Sequence, residues 1–210
     1  MTFQAQKKNE FYKHNLESYK RFHYYLTNFN DFRYTLGVIP GYTKPNDLLW
    51  MKDNEIDIAL HGVVHSESHL DEFYEQSYNT IETAILASKN FLEYHSERRV
   101  IDYIPPHNTV SADTILALSR LGFDRIYGGP ETEEIAKDLI RREGIEYIHS
   151  EPPLEYGRSD ELMQRGAVEY LREECKYREV CLTLHSPWEI NIGLHNLQKF
   201  MEKLNDAEVF

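Results

Sequence analysis

Apolar residues recur along the chain with two different spacings. Short continuous apolar runs predict strands buried on both faces, whereas apolar residues at every third or fourth position predict amphipathic helices. The predicted strands are 34–39, 56–60, 100–104, 123–127, 144–149 and 179–184. The predicted helices are 9–26, 45–52, 78–94, 111–121, 160–175 and 193–204. Strands that are separated by helices indicate an α/β fold with a mainly parallel sheet or barrel.

The composition is that of an ordinary globular chain. Its 210 residues are 41% hydrophobic and 28% charged, which predicts one domain over 1–210 with a substantial core. The net charge of -12 argues against a nucleic-acid partner, because binding to phosphates needs a basic surface. No apolar run approaches the roughly 20 residues of a membrane span.

The cysteines and the first residues bear on the compartment. Cys175 and Cys181 are the only cysteines, which is too few for a disulfide framework. The first residues lack the apolar core of a signal peptide. Both features predict a cytoplasmic chain whose thiols stay reduced.

Polar or proline-rich clusters follow three of the predicted strands. They are His61 and His65 after the strand at 56–60, Pro105 to Asn108 after 100–104, and His185 to Glu189 after 179–184. In parallel α/β folds the carboxyl ends of the strands carry the active site. We therefore expect the three clusters to meet at one rim.

His61 and His65 are the strongest candidates for a metal site. Imidazole is the commonest metal ligand in proteins near neutral pH. A helical zinc-protease motif would need a glutamate at position 62, whereas Gly62 and the β-branched residues that follow favour a turn after the strand. The alternative is that both histidines bond to nearby backbone. His69 is a weaker third ligand, because Glu67, Asp71 and Glu72 around it predict a solvated turn.

The other two clusters leave alternatives open. Consecutive prolines fix the backbone, so Pro105, Pro106, His107 and Asn108 form either a substrate-binding platform or a structural loop. His185 acts as a general acid if a carboxylate orients it, or else is a core histidine. Trp188 is a platform for a sugar ring or a packing residue.

In this order and at these spacings, the motifs resemble those of the polysaccharide deacetylase family (NodB homology, carbohydrate esterase type). Residues 60–65 resemble the second motif of its His-Gly-x-x-His branch, 103–108 the third, proline-rich motif, and 182–185 the final Leu-x-x-His motif. The resemblance runs from about Tyr34 to Leu204. It implies a distorted (β/α) barrel and a divalent metal, usually zinc, held by an aspartate with His61 and His65.

The resemblance also implies an activity, the hydrolysis of N- or O-acetyl groups on a carbohydrate. In such a reaction the metal polarises the acetyl carbonyl and acidifies water, a carboxylate takes a proton, and His185 protonates the leaving group. Two further hypotheses stand beside a deacetylase. One is a non-catalytic glycan-binding or structural relative of the same fold, and the other is a metal-dependent hydrolase of a small amide.

The first motif of the family, a strand ending in Asp-Asp, is absent or degenerate. The best positional match is Met1 to Gln6, with Gln4 and Ala5 where the aspartates would stand, and Asn30-Asp31 precedes a strand instead of following one. Either the true first strand lies before Met1 or the chemistry has been lost. A barrel with a missing or altered first strand has unpaired edges. We expect the N-terminal segment, a partner chain or a shifted sheet to cover that gap, so an oligomer would be one solution.

Overall fold

The computed structural model describes residues 16–27, 34–65, 71–151, 168–173, 181–182 and 194–206. The chain divides into two compact units, one formed by 34–150 and the other by 1–33 with 151–210. The single domain expected from the length stays a prediction. Within the described residues, no helix is long and apolar enough to cross a membrane.

Unit 34–150 contains five strands that pair in parallel and in sequence order. They are β1 (Thr35–Val38), β2 (Asp57–Leu60), β3 (Asp102–Tyr103), β4 (Arg125–Gly128) and β5 (Glu146–Glu151). The register places Leu60 beside both Val38 and Tyr103, so the strands end at a common edge. A sequential parallel order is typical of a sheet wound in one direction, as in a barrel, whereas a doubly wound sheet reverses its order part-way.

Helices follow most of these strands. Besides the helical residues 168–173, the described α-helices are α1 (Leu16–Thr27), α2 (Pro45–Asp53), α3 (Tyr78–Ser96), α4 (Ala112–Arg120), α5 (Pro130–Arg142) and α6 (Leu194–Asp206). The serine hydroxyls of Ser77 and Ser111 accept the backbone N–H of Thr80 and Thr114 at 3.3 and 3.2 Å, which satisfies free amides at the starts of α3 and α4. The bounds of α2, α3 and α4 confirm the helices expected at 45–52, 78–94 and 111–121.

Helix α5 is absent from the sequence-based expectation, which placed two strands in succession at 123–127 and 144–149. The charges of its sequence, PETEEIAKDLIRR, obscure the apolar period. Local signals were nevertheless present: Pro130 stands in the first turn, where its missing N–H costs nothing, and Arg141 and Arg142 stand in the last turn. Ala136 and Ile140, four residues apart, form its buried stripe.

The core of unit 34–150 is built from strands and the inner faces of helices. Its fully buried members include Leu48, Leu60, Ile81, Ile85, Leu92, Ile115, Leu118 and Ile126. At the start of β3 the buried carboxylate of Asp102 accepts two hydrogen bonds from Arg125, at 2.6 and 2.8 Å. Burial raises the pKa of Asp102 in spite of this cation. The pair joins the first residues of β3 and β4, which are partners in the sheet.

The second unit is described in parts. Helix α1 contacts α6, and Phe22, Phe200 and Met201 are buried. Residues 168–173 are helical and β6 (Cys181–Leu182) is a strand, in agreement with the elements expected at 160–175 and 179–184. Residues 1–6, His69, Cys175, His185 and Trp188 lie outside the described residues. The coverage of the barrel edge therefore stays a prediction.

Candidate metal centre

His61 follows β2 directly and is held at both its backbone and its ring. Its N–H donates to the carbonyl of Val38 at 2.9 Å, and its Nδ1 lies 2.9 Å from the carbonyl oxygen of Ile104. A carbonyl oxygen accepts hydrogen bonds and cannot donate one, so this contact places the proton on Nδ1. The neutral ring then keeps its lone pair on Nε2. A histidine that ligates a metal through one ring nitrogen commonly donates the N–H of its other ring nitrogen to a carbonyl oxygen, as His61 does here.

His65 and His107 extend this contact into a row of three half-buried imidazoles. The ring centroids of His61 and His65 are 4.9 Å apart, and those of His65 and His107 are 4.6 Å apart. Both pairs meet edge to face, with 67° between the ring planes. The structure thus brings together the two histidines of the strand-end motif and the histidine of the proline-rich turn.

Glu72 holds the turn between His61 and His65. Its carboxylate accepts the backbone N–H of Val63 at 2.7 Å and that of Val64 at 2.6 Å. Hydrogen bonds to a charged acceptor are stronger than neutral ones, so two of them fix this short loop. Nothing in the sequence pattern singled out Glu72, because an acidic residue in a polar segment carries no positional signal.

Gly62 is required by the same packing. Its φ is +66°, and a Cβ there would lie 2.4 Å from Oε2 of Glu72 and 2.6 Å from Cγ of Pro106. Any larger residue would have to displace both the carboxylate and the proline. The glycine of the His-Gly-x-x-His pattern therefore serves the packing of the turn between the two histidines.

The segment after the histidine pair is more buried than expected. The prediction of a solvated turn is wrong for Asp71, which is only 9% exposed. One oxygen of its carboxylate accepts the N–H of Phe73 at 2.9 Å, and the other accepts the hydroxyl of Thr114 at 2.9 Å and the N–H of Ser111. Short polar segments look alike in sequence whether they face solvent or cap a helix. Asp71 is buried because the start of α4 packs against it, and that contact is formed only in the tertiary structure.

The pKa of the Tyr103 hydroxyl responds to two nearby carboxylates. Its side chain is fully buried, and burial raises the pKa of its hydroxyl well above the ordinary value, with the negative charges of Asp71 and Glu72 adding to the effect. The two carboxylates are therefore close enough to influence a group in the core beside the histidines. Both are already bonded to backbone amides.

The proline-rich turn is a short 3-10 segment, Pro106–Asn108, with an unusual backbone. His107 and Asn108 both have left-handed φ, at +54° and +56°. The side-chain oxygen of Asn108 accepts the N–H of Gly129 at 3.2 Å, and its carbonyl accepts the hydroxyl of Thr132 at 2.6 Å. Asn108 thereby ties the turn to the start of α5. Its expected contact with substrate stays a prediction, as do those of Pro105 and Pro106.

The chemistry of the histidines fits a divalent metal in part. Two imidazoles that share one tetrahedral ion, with bonds of about 2.0–2.1 Å, place their ring centroids about 5 Å apart, close to the observed spacings. Imidazole nitrogens are suitable ligands for zinc. In the part of the chain that the structure describes, however, no three His, Cys, Asp or Glu side chains already converge as a ligand set.

A further histidine near a strand end escaped the sequence analysis. His149, near the end of β5, lies 2.8 Å from Oε2 of Glu133 on α5. The other oxygen of Glu133 pairs with Lys137, and this bond, ahead of the proximity of His149, holds the pKa of Glu133 below its ordinary value. The position of His149 at a strand end was the available signal, but α5, which supplies its partner, was not foreseen.

Comparison with known proteins finds solved structures with a similar fold. No protein-family profile matches the chain, and no curated protein matches it either. Two solved structures superpose on 91% of it: a mutant of BA3943, described as a CE4 family pseudoenzyme, with 12% identity and a TM-score of 0.56, and the Xyl-CE4 domain of a multidomain xylanase from the hindgut metagenome of Trinervitermes trinervoides, with 14% identity and a TM-score of 0.51. The chain has the fold of a CE4 domain.

These similarities bear on the expectations from sequence. CE4 domains are polysaccharide deacetylase domains with a distorted barrel, so the predicted fold class is confirmed. The chain spans 58% of the length of the BA3943 structure and 75% of the xylanase domain. At such low identity the likeness carries the fold and not the activity.

Proposed function

We propose that the chain is a divalent-metal-dependent hydrolase that removes acetyl groups from a carbohydrate. The observation that carries the proposal is the orientation of His61. Its Nδ1 bond to the carbonyl of Ile104 makes Nε2 the atom that would ligate a metal, and its ring centroid lies 4.9 Å from that of His65 at the carboxyl edge of a CE4-type sheet. That edge is where α/β folds of this kind bind their ligands.

The proposal assigns a separate role to each group of residues. His61 and His65 hold the ion, most simply zinc, and Glu72 fixes the turn that spaces them. When bound, a divalent ion polarises the acetyl carbonyl and lowers the pKa of water. Pro105, Pro106, His107, Asn108 and Trp188 are the proposed substrate-contacting residues. His185 is the proposed general acid for the leaving amine or alkoxide.

Acetate release from acetylated chito-oligosaccharides, with and without added Zn²⁺, tests the proposal. We expect release that depends on Zn²⁺ and stops with a chelator. His61→Ala should abolish both release and zinc uptake, whereas His95→Ala, on α3 and packed against Phe91 and Tyr94, should change neither. Zinc uptake that is unchanged in His61→Ala would contradict the site. Release from small amides but not from sugars would favour the amide hydrolase.

A non-catalytic carbohydrate-binding relative is the second candidate. It is favoured by two described carboxylates that follow the histidine pair, since Asp71 and Glu72 both accept hydrogen bonds from backbone amides. The similar BA3943 structure is itself described as a pseudoenzyme. Binding of an acetylated oligosaccharide, measured by calorimetry, without any acetate release in the presence of Zn²⁺ would support this candidate over the first.

A further inference from the structure

We infer that His149 and Glu133 form a polar subsite that binds one sugar unit of an oligosaccharide, several units away from the unit at the histidine pair His61 and His65. The inference rests on the proposed function, because it takes the substrate to be a carbohydrate. It adds to that function a preference for chains of several sugar units over short ones.

The register of the strands places His149 on the carboxyl side of the sheet. Paired residues form one row across β2 to β5. They are Leu60, Tyr103, Ile126 and Tyr147. His61 is one residue beyond this row and His149 is two residues beyond it. Since the four strands are parallel, both histidines follow the row on the same side.

The separation of the two histidines along the sheet is larger than one sugar ring. Strands β2 and β5 are three strand spacings apart, which is about 14 Å. A monosaccharide at the histidine pair would not span this interval, whereas an oligosaccharide lying across the strand ends would. The subsite therefore concerns the length of the substrate and not the acetyl group that is removed.

Hydrogen bonds join the proline-rich turn to the helix that carries Glu133. The side-chain oxygen of Asn108 accepts the N–H of Gly129 at 3.2 Å, and its carbonyl accepts the hydroxyl of Thr132 at 2.6 Å. The N–H of Glu133 donates to the carbonyl of Gly129 at 3.0 Å. The turn that carries His107 is thus fixed directly against the first turns of α5.

His149 and Glu133 are held in place but remain accessible. Nδ1 of His149 lies 2.8 Å from Oε2 of Glu133, and the other carboxylate oxygen pairs with Lys137. The two side chains keep 23% and 34% of their exposure. Sugar hydroxyls both donate and accept hydrogen bonds, which an imidazole and a carboxylate can match. Because a strand and a helix carry the pair, binding a hydroxyl costs little side-chain entropy.

The attachment of α5 to the sheet has other sources than this pair. Ala136 and Ile140 are buried on its inner face, and the hydroxyl of Tyr147 donates to the carbonyls of Gly128 and Gly129 at 2.8 and 3.1 Å. A partly exposed ion pair adds little to stability. Packing therefore does not account for the pair, whereas a polar ligand does.

Acetate-release kinetics in the presence of Zn²⁺, with fully N-acetylated chitobiose and chitotetraose as substrates, test the inference. His149→Ala and Glu133→Gln each remove one or two hydrogen bonds, so KM for the tetrasaccharide should rise about three- to tenfold. The kcat values and KM for the disaccharide should not change. Glu134→Gln, at an exposed neighbouring position on α5, should act as the native chain does on both substrates. Zinc uptake should be native in all three variants.

The outcomes separate this inference from the proposed function. If the native chain releases no acetate from either sugar, the proposed activity fails, and calorimetry of tetrasaccharide binding then tests the subsite by the same variants. Equal effects of His149→Ala and Glu133→Gln on both substrates, or no effect on either, would overturn the subsite. So would a native chain that binds the tetrasaccharide no more tightly than the disaccharide. Thermal midpoints compared with that of Glu134→Gln identify any loss that comes from unfolding.

Discussion

At the scale of single residues, the histidine turn depends on a glycine and a carboxylate. Gly62 adopts a φ of +66° between Oε2 of Glu72 and the ring of Pro106. Glu72 in turn holds the amides of Val63 and Val64. The histidines carry the proposed ligand atoms, whereas Gly62 and Glu72 fix the turn that separates His61 from His65.

Replacing Gly62 with alanine should destabilise the fold by about 2–4 kcal/mol. The left-handed backbone accounts for about 1–2 kcal/mol, and the collision with Glu72 and Pro106 for the remainder. Urea denaturation measures the free energy of unfolding. Gly144→Ala is the matched control, because Gly144 has a φ of +78° but nothing within 4 Å of the added methyl group. Equal losses in the two variants would show that crowding is unimportant.

Replacing Glu72 with glutamine should loosen the turn and weaken zinc binding. The neutral amide keeps one acceptor and presents N–H groups to a backbone donor, so we expect a loss of about 1–3 kcal/mol in the free energy of unfolding. Chemical denaturation and zinc titration give the two readouts. Glu75→Gln, an exposed position of the same segment, should leave both unchanged. A Glu72 variant with native zinc affinity would remove the positioning role.

At the scale of elements, charged side chains connect helices to the strands that follow them. Glu93 of α3 accepts the N–H of Val100 at 2.9 Å and pairs with Lys89 at 2.8 Å. Lys89 is itself buried, reaches the carbonyl of Val100 and lies over the ring of Phe123. This network connects the C-terminal part of α3 to the residues that lead into β3.

Glu93 should contribute to the loss of stability in acid. Burial alone would raise its pKa, but Lys89 and the amide of Val100 outweigh burial, and the pKa lies below the ordinary 4.5. A lowered pKa gives stability that is present above 4.5 and is lost as the pH falls through the folded value. Denaturation between about pH 6 and pH 3 should therefore show a smaller loss on acidification in Glu93→Gln than in the native chain.

The control for this pH prediction is Glu134→Gln, which removes an exposed carboxylate of α5. Its stability profile should run parallel to that of the native chain. If Glu93→Gln also runs parallel, the network around Val100 is not linked to protonation.

At the scale of the whole molecule, the proposed metal site lies within unit 34–150. His61, His65 and His107 all belong to it, and so do Glu72 and the strands β2 and β3 on which they depend. An ion that binds the folded unit and not the unfolded chain stabilises it by mass action. Binding of the proposed ion would therefore be linked to the folding of this unit.

Zn²⁺ should raise the thermal midpoint of the native chain. At a free concentration of one hundred times the dissociation constant, the added stability is about 2.7 kcal/mol. For a chain of this size that corresponds to a rise of about 5–10 °C, measurable by circular dichroism. A chelator should reverse the shift, and His61→Ala should not show it. An identical shift in His61→Ala would mean that zinc binds elsewhere.

The sequence was most informative about elements and least informative about their partners. Apolar spacing predicted β1, β2 and the helices α2 to α4 because burial imposes a local period that survives in any context. It missed α5, where charges on the exposed face outnumber the buried residues, and it misplaced Asp71 in solvent. Both errors concern segments whose apolar content is too small to show which side faces the core.

What the sequence determined by itself is a parallel α/β chain with histidines at the end of β2 and a proline turn at the end of β3, together with the resemblance to deacetylases. The tertiary structure decided that His107 reaches His65, that Glu72 holds the turn between His61 and His65, and that Ile104 orients the ring of His61. These contacts join segments from neighbouring strands. Spacing along one segment cannot encode them, because they depend on the register and packing of two loops against each other.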